Sequence, residues 1–336
     1  QGRASSSRLH QFSPSRPQPG CPPLPRKLII DIDPGIDDAV ALAIALFDPR
    51  LDVLAVTATG GNVAPAQATA NVQAIVALLD PPKLPRLGAA PTDVPAIDHP
   101  WNLHGGDGLG DLDLPRVQLH GEHAAEKVIT ETLRAHPREV TILALGPLTN
   151  IARVLRRDPS LAEIIAGIIV CGGSATATGT VTPVADFNFH ADPAAARHVL
   201  LEPIAKTLLP IDTAGQVVLG FELLDQLPDP FSRAGRLFRR ILPHAFRAQR
   251  QHLGSEGICL PEVVALVAAT NPELFERSTV SADVETEGRL TSGMLVVDRR
   301  QTRRGMPNAE LLTACDVAAV KDCILRGMGG AGAATE

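Results

Sequence analysis

At 336 residues the chain is long enough to bury one large core or to divide in two. A formal charge of −6, from 31 basic and 37 acidic side chains, provides no basic field for nucleic acid, and no apolar run approaches the length that spans a bilayer. The five cysteines are odd in number and scattered, without a CxxC pair, which argues against a disulfide framework or zinc site and for free thiols in a reducing, cytoplasmic compartment.

Residues 1–26 are rich in Ser, Pro, Arg and Gln, carry no acid and lack the apolar core of a secretory signal, so a disordered N-terminal tail is expected there. Leu28-Ile29-Ile30 is β-branched and sized for a buried strand, and 39–46 is a strongly helical apolar run. Next come a strand over 51–57 ending in Gly60-Gly61-Asn62, a helix over 64–79 and a short strand at 85–88. Residues 91–120 show no periodicity but contain Trp101 and the glycine-rich stretch His104 to Gly110. A loop of that length in a compact domain is usually functional or mobile. A helix near 122–136, a strand over 140–145, a helix opened by Gly146-Pro147-Leu148-Thr149-Asn150 and a strand over 167–171 follow. A polar loop over 176–192 leads to a strand near 204–211, a mostly helical stretch over 213–270, the run 293–298 and a last helix near 317–325. Strands alternating with helices of this length predict a single α/β domain over 27–330, with a mainly parallel central sheet flanked by helices and a flexible tail at 331–336. The one true GxGxxG match, Gly327 to Gly332, lacks the strand before it and the helix after it that dinucleotide binding needs, and there is no Walker A sequence.

The strongest chemical signal is Asp31-Ile32-Asp33-Pro34-Gly35-Ile36-Asp37-Asp38-Ala39, between the carboxyl end of the first strand and the amino end of the first helix, where open α/β sheets bind ligands. Four acids so close repel one another and are costly to desolvate without a proton or cation to share. Their oxygens are hard donors that suit Ca²⁺ or Mg²⁺ rather than zinc. Capping the helix and complementing its dipole would account for one or two of the four, but not for all of them with the Pro-Gly turn.

This stretch resembles the DxDPGxDDA signature of the inosine–uridine-preferring nucleoside hydrolases. Gly61-Asn62, His104 to Gly110, Gly146 to Asn150 and Pro183-Val184-Ala185-Asp186-Phe187-Asn188 follow in the family's order, supported by Thr291 to Asp298. The resemblance covers about residues 27–330 and implies a Rossmann-like fold. It also implies a Ca²⁺-dependent enzyme that cleaves the N-glycosidic bond of ribonucleosides to free base and ribose, acts in nucleoside salvage and assembles as a homodimer or homotetramer. By the same resemblance Asp33 is a metal ligand and the acceptor of a proton from the attacking water. Asp38, Glu262 and the backbone carbonyl of Leu145 complete the metal set, and Asp37, Asn62, His104, Asp186 and Asn188 face the substrate. Cleavage passes through an oxocarbenium-like state, which neighbouring carboxylates and amide oxygens stabilise.

Three positions depart from the family pattern. Thr180 stands for an asparagine, Asp186 for a glutamate, and Pro261-Glu262 for His-Asp. Proline cannot donate a proton to a leaving base. The site is therefore either specialised for bases that leave without that histidine or weakened to a ribose- or nucleoside-binding relative without turnover. Trp101 is placed either to stack on a base or simply to be buried. His190 and His252 are alternative acids, each with a surface or capping role as its plainer explanation. An aspartyl phosphatase, suggested by Asp31-Ile32-Asp33 after a strand, fits poorly, because Pro34-Gly35 and two further acids are not that motif's context.

Overall fold

The computed structural model describes residues 24–93, 103–119, 123–176, 179–300 and 305–336. β1 (Arg26–Ile32) alternates within a wholly buried run. Leu28, Ile30 and Ile32 enter the apolar cluster on one face of the sheet and Ile29 that on the other, as expected of a central strand covered on both sides. α1 (Ile36–Phe47) is apolar nearly all round, and its alanines allow close packing on two later helices. β2 (Leu51–Ala58), α2 (Pro65–Leu79) and β3 (Arg86–Gly88) extend the sheet to one side of β1. α3 (Ala125–Ala135) packs on β2 and β3, while β4 (Val140–Ala144), α4 (Thr149–Arg157), β5 (Gly167–Cys171), α5 (Phe187–Ala191), α6 (Pro193–Leu201) and β6 (Lys206–Leu209) build the other side.

The second half adds α7 (Ile211–Ala214), β7 (Val218–Leu219), α8 (Arg233–Leu253), β8 (Ile258–Cys259) and α9 (Pro261–Thr270). β9 (Phe275–Val280), β10 (Ala282–Val284), β11 (Leu295–Val297), β12 (Ala309–Cys315) and α10 (Val317–Ala333) complete it. The main sheet runs β3-β2-β1-β4-β5-β6-β12-β9, parallel throughout except for β9, which pairs antiparallel at the edge. α1, α2, α8, α9 and α10 cover one face, and α3, α4 and α6 the other. The chain winds outward in both directions from β1, so the switch point lies between β1 and β4, and a crevice opens beyond their carboxyl ends.

The single α/β domain and mainly parallel sheet are as the sequence predicts. The tail expected at 331–336 is not separate from the domain. α10 runs on through its glycines to Ala333, and Thr335 is buried, its Oγ1 donating to Ala331 O (2.8 Å) and its backbone oxygen accepting from Arg233 N (3.1 Å). Close packing explains the persistence of the helix. A Cβ on Gly327 would sit 2.7 Å from Ile44, and one on Gly332 would overlap Pro228, so contacts replace the propensity that glycine lacks. The glycine-rich run is helix interior, with no phosphate loop. β9 and β12 were not expected from the sequence at all.

Candidate active site

The four aspartates leave β1 and enter α1 in alternating directions. Asp31 faces the α4 side, fully buried, and its Oδ1 accepts from Thr57 Oγ1 and from Asn150 Nδ2 (2.8 Å). Burial, opposed by those two donors, pushes its carboxyl up to about 7. Asp33 is also buried. Its Oδ2 accepts the Asn62 backbone N–H (2.8 Å), while the Asn62 side-chain amide donates to Asp33 O (3.1 Å). Asp38 Oδ2 accepts the Gly35 N–H (2.8 Å), half of a capping arrangement at the start of α1. Its Oδ1 is buried with no hydrogen-bond partner among the described residues. Capping therefore accounts for one oxygen of Asp38 and leaves the other without a role.

Glu262 arrives from the first turn of α9. It shares a hydrogen bond with Asp37, and its Oε2 is buried without a partner among the described residues. Burial, then the charge of Asp37, holds Glu262 well above the usual carboxylate range. Burial, then Asp38, does the same for Asp33, and burial, then Asp37, raises Asp38 to about 8. Both helix amino ends favour the anions, but a dipole is worth about 0.3–1 kcal/mol, less than one pKa unit, so desolvation and like charge win.

Above these groups opens a cavity of about 260 Å³. Asp37, Asn62 and His104 line it from the start of α1 and the loops that follow β2 and β3, Thr180, Asp186 and Asn188 from the segment around α5, and Pro261 and Glu262 from the start of α9. Asp33, Asp38 and the Leu145 carbonyl lie a layer deeper, joined to the wall through Asn62 and Asn188. His104 Nδ1 accepts the Ile36 N–H (3.1 Å), which puts the proton of the neutral ring on Nε2, and lies 3.7 Å from Asp37 Oδ1. Asn188 donates both amide hydrogens to backbone, to Leu145 O (2.7 Å) and Cys171 O (3.0 Å), leaving Oδ1 as an acceptor. Asp186 caps α5. Its oxygens accept from Gly173 N (2.8 Å) and Asn188 N (3.0 Å), while burial raises it to about 6. Thr180 Oγ1 accepts from Phe187 N (3.0 Å). A larger cleft of about 690 Å³ at the amino ends of β4, β5 and β6 offers Lys206, whose ammonium already donates to the carbonyls of Glu202 and Ile204.

The sequence pattern described as inosine-uridine preferring nucleoside hydrolase matches residues 28–322. The chain belongs to this family. It is 34% identical to the non-specific ribonucleoside hydrolase RihC of Salmonella agona (strain SL483) over 292 residues, covering 86% of this chain and 93% of that one. It is 32% identical to the pyrimidine-specific ribonucleoside hydrolase RihA of Salmonella paratyphi B, covering 86% and 94%. A plant nucleoside hydrolase, the PpNRh1 enzyme, superposes with a TM-score of 0.82 at 27% identity, covering 91% of this chain and 99% of that one.

As a nucleoside hydrolase, the chain brings together in one cavity most of the residues its sequence singled out. Trp101 lies outside the described residues. His190 and His252 are not on the cavity wall, and His190 Nδ1 contacts Ser292 O (3.3 Å). Pro261 does line the cavity, at the first position of α9, so the wall there has a side chain without a hydrogen-bond donor. Sequence reasoning missed Cys171, Phe187, Gln249, Leu253 and Cys259. Phe187 lies inside a quoted motif and was within reach. Gln249 was not, because its role depends on a long-range pairing. Its Nε2 donates to Cys259 O and its Oε1 accepts Cys259 N, both at 3.1 Å, fastening β8 to α8 beside Pro261.

Among the described residues no three His, Cys, Asp or Glu side chains converge as a finished metal cage. The donor chemistry still fits a hard cation. In this set the buried oxygens Asp38 Oδ1 and Glu262 Oε2 lack partners among the described residues, Asp37 and Glu262 share a hydrogen bond, and the remaining donors are oxygens.

Proposed function

We propose that this nucleoside hydrolase cleaves the N-glycosidic bond of ribonucleosides to free base and ribose, with Ca²⁺ as its metal. The observation that carries the reading is the acid cluster of buried Asp33 and Asp38 with half-buried Asp37 and Glu262, at a cavity of about 260 Å³ that also has amide groups on its wall. Asp33, Asp38, Glu262 and the Leu145 carbonyl would hold the ion, the carbonyl through the lone pair that Asn188 leaves free. Calcium bound there supplies positive charge that orients a sugar diol and lowers the pKa of a water. Asp33, its carboxyl fixed by Asn62, would take the proton from an attacking water. Asp37, Asn62 and His104 bind the ribose hydroxyls, and Asn188 Oδ1 faces the sugar as an acceptor while positive charge develops on the ring. Asp186 and Thr180 act mainly by holding the Phe187–Asn188 turn in place. With Pro261 on the wall, the base leaves without an imidazole at that position.

The reading extends to work in the cytoplasm, supported by free thiols at Cys171, Cys259, Cys315 and Cys323, and to self-association as a homodimer or homotetramer, read by light scattering. No described helix is long and apolar enough to cross a membrane. Incubation with inosine, uridine and related ribonucleosides, with and without chelator, should release ribose only when calcium is present. No ribose from any of them sinks the proposal. Pro261 favours a second reading, a nucleoside-binding protein without turnover. Calorimetric binding with no ribose released would establish it.

A further inference from the structure

We infer that Gly61 and Gly146 are positioning residues for Asp33. They form a slot, one glycine against each carboxylate oxygen, that admits the side chain in a single orientation. The catalytic meaning of the slot rests on the proposed function, but its geometry does not. Gly61 follows β2 and Gly146 follows β4, so the loops of the two strands flanking β1 close on the residue that follows β1. A Cβ built on Gly61 would overlap Asp33 Oδ2 and stand 2.7 Å from its Cγ. One built on Gly146 would overlap Asp33 Oδ1 and stand 3.0 Å from Cγ and from the Asp33 nitrogen. The favourable separation for such atoms is about 3.5–4.0 Å, so neither methyl fits while the carboxylate stays where it is.

Backbone conformation does not explain these glycines, because neither has a positive φ and alanine could adopt both conformations. What each position requires is the absence of a side chain, and the atoms requiring it belong mainly to Asp33. Hydrogen bonds tie both loops to this segment: Asn62 N donates to Asp33 Oδ2 (2.8 Å), and Leu145 N donates to the backbone carbonyl of Asp31 two residues earlier (2.9 Å). With hydrogen-bonded loops at its back and a glycine at each oxygen, the carboxylate cannot turn to relieve its repulsion from Asp38. Reacting groups held in this way give up little freedom at the moment of reaction, and a displacement of about 1 Å costs on the order of 100-fold in rate.

A four-protein cycle tests the slot: the wild-type chain, Gly146→Ala, Asp33→Ala and the double variant, melted in chelator without substrate. Gly146→Ala is expected to lower Tm by about 3 °C or more when Asp33 is present, and by less than about half as much in the Asp33→Ala background, where the two carboxylate contacts are gone and the backbone nitrogen at 3.0 Å remains. Equal shifts in both backgrounds overturn the inference, since a purely structural glycine does not depend on what occupies position 33. If Gly146→Ala does not accumulate as folded protein, its recovery in the Asp33→Ala background is the supporting result, and a failure to recover counts against the slot. Gly61→Ala measured against Asp33→Gly should give the same coupling. The cycle uses neither substrate nor metal. If the wild-type chain released no ribose, the functional reading would fall and the cycle would still decide whether the slot exists.

Discussion

Asp33 combines a buried carboxyl, a neighbouring carboxyl that repels it and a backbone amide that fixes one of its oxygens. Removing it by Asp33→Ala should reduce kcat for ribose release by about 10²–10⁴-fold, the range for loss of a positioned general base. Gel filtration and circular dichroism should show the fold retained, since one carboxylate fewer relieves repulsion from Asp37 and Asp38. A variant within tenfold of wild type would move the base elsewhere. Much at this scale was legible in the sequence, because the acids stand within one strand-to-helix turn and local geometry places them together. The partnership of Asp37 with Glu262 was not, for it depends on how α9 packs against α1. The commitment of Asp186 and Thr180 to backbone amides was equally hidden, since either side chain could have faced the cavity freely.

Elements with a one-sided or wholly apolar pattern, such as β1, α1, β4 and β5, follow from their sequences because burial dictates the residues. β9 and β12 escape that reasoning. FERSTV carries two adjacent charges on the outermost strand, and AELLTAC reads as readily as helix, so only pairing with β6 and with each other makes strands of them. The end of α10 shows the same limit from the other side. Four glycines predict a break, yet tight packing against Ile44 and Pro228 carries the helix through. Its last turn in turn supports another helix: Thr335 Oγ1 accepts the Ala234 N–H (3.1 Å), one of the amino-end hydrogens of α8 that have no partner within that helix. Thr335→Ala should therefore destabilise the protein by about 1–2 kcal/mol, read as a lower denaturant midpoint, while Thr335→Ser should retain most of the stability. Equal losses in the two would show that the methyl group, rather than the hydroxyl, matters.

At the scale of the whole molecule, the sheet order brings together loops that lie far apart in the chain, from the ends of β1, β2, β4 and β5 and the start of α9, and the acids they deliver are held against their own repulsion by the packing around them. In chelator that repulsion is relieved by protons. Asp38 is raised to about 8 by burial and Asp37, and Asp33 and Glu262 are also raised, so between about pH 4.5 and about pH 8 the folded chain binds more protons than the unfolded one. The stability these groups contribute is present below their unfolded pKa values and is lost as pH rises through the folded ones. Calcium, which takes the deprotonated carboxylates, should offset that loss most where the protons are fewest. The Tm gain on adding calcium to chelated protein should accordingly grow from about pH 5.5 to about pH 8, because each proton displaced costs about 1.4 kcal/mol for every pH unit below its pKa. Glu262→Gln should reduce that gain and lessen its pH dependence, since an amide holds no exchangeable carboxyl proton and its neutral oxygen attracts the ion less than a carboxylate does. Differential scanning calorimetry across the pH series measures both effects, and a calcium gain that is absent, or equal at every pH, would remove the acid cluster from the metal site.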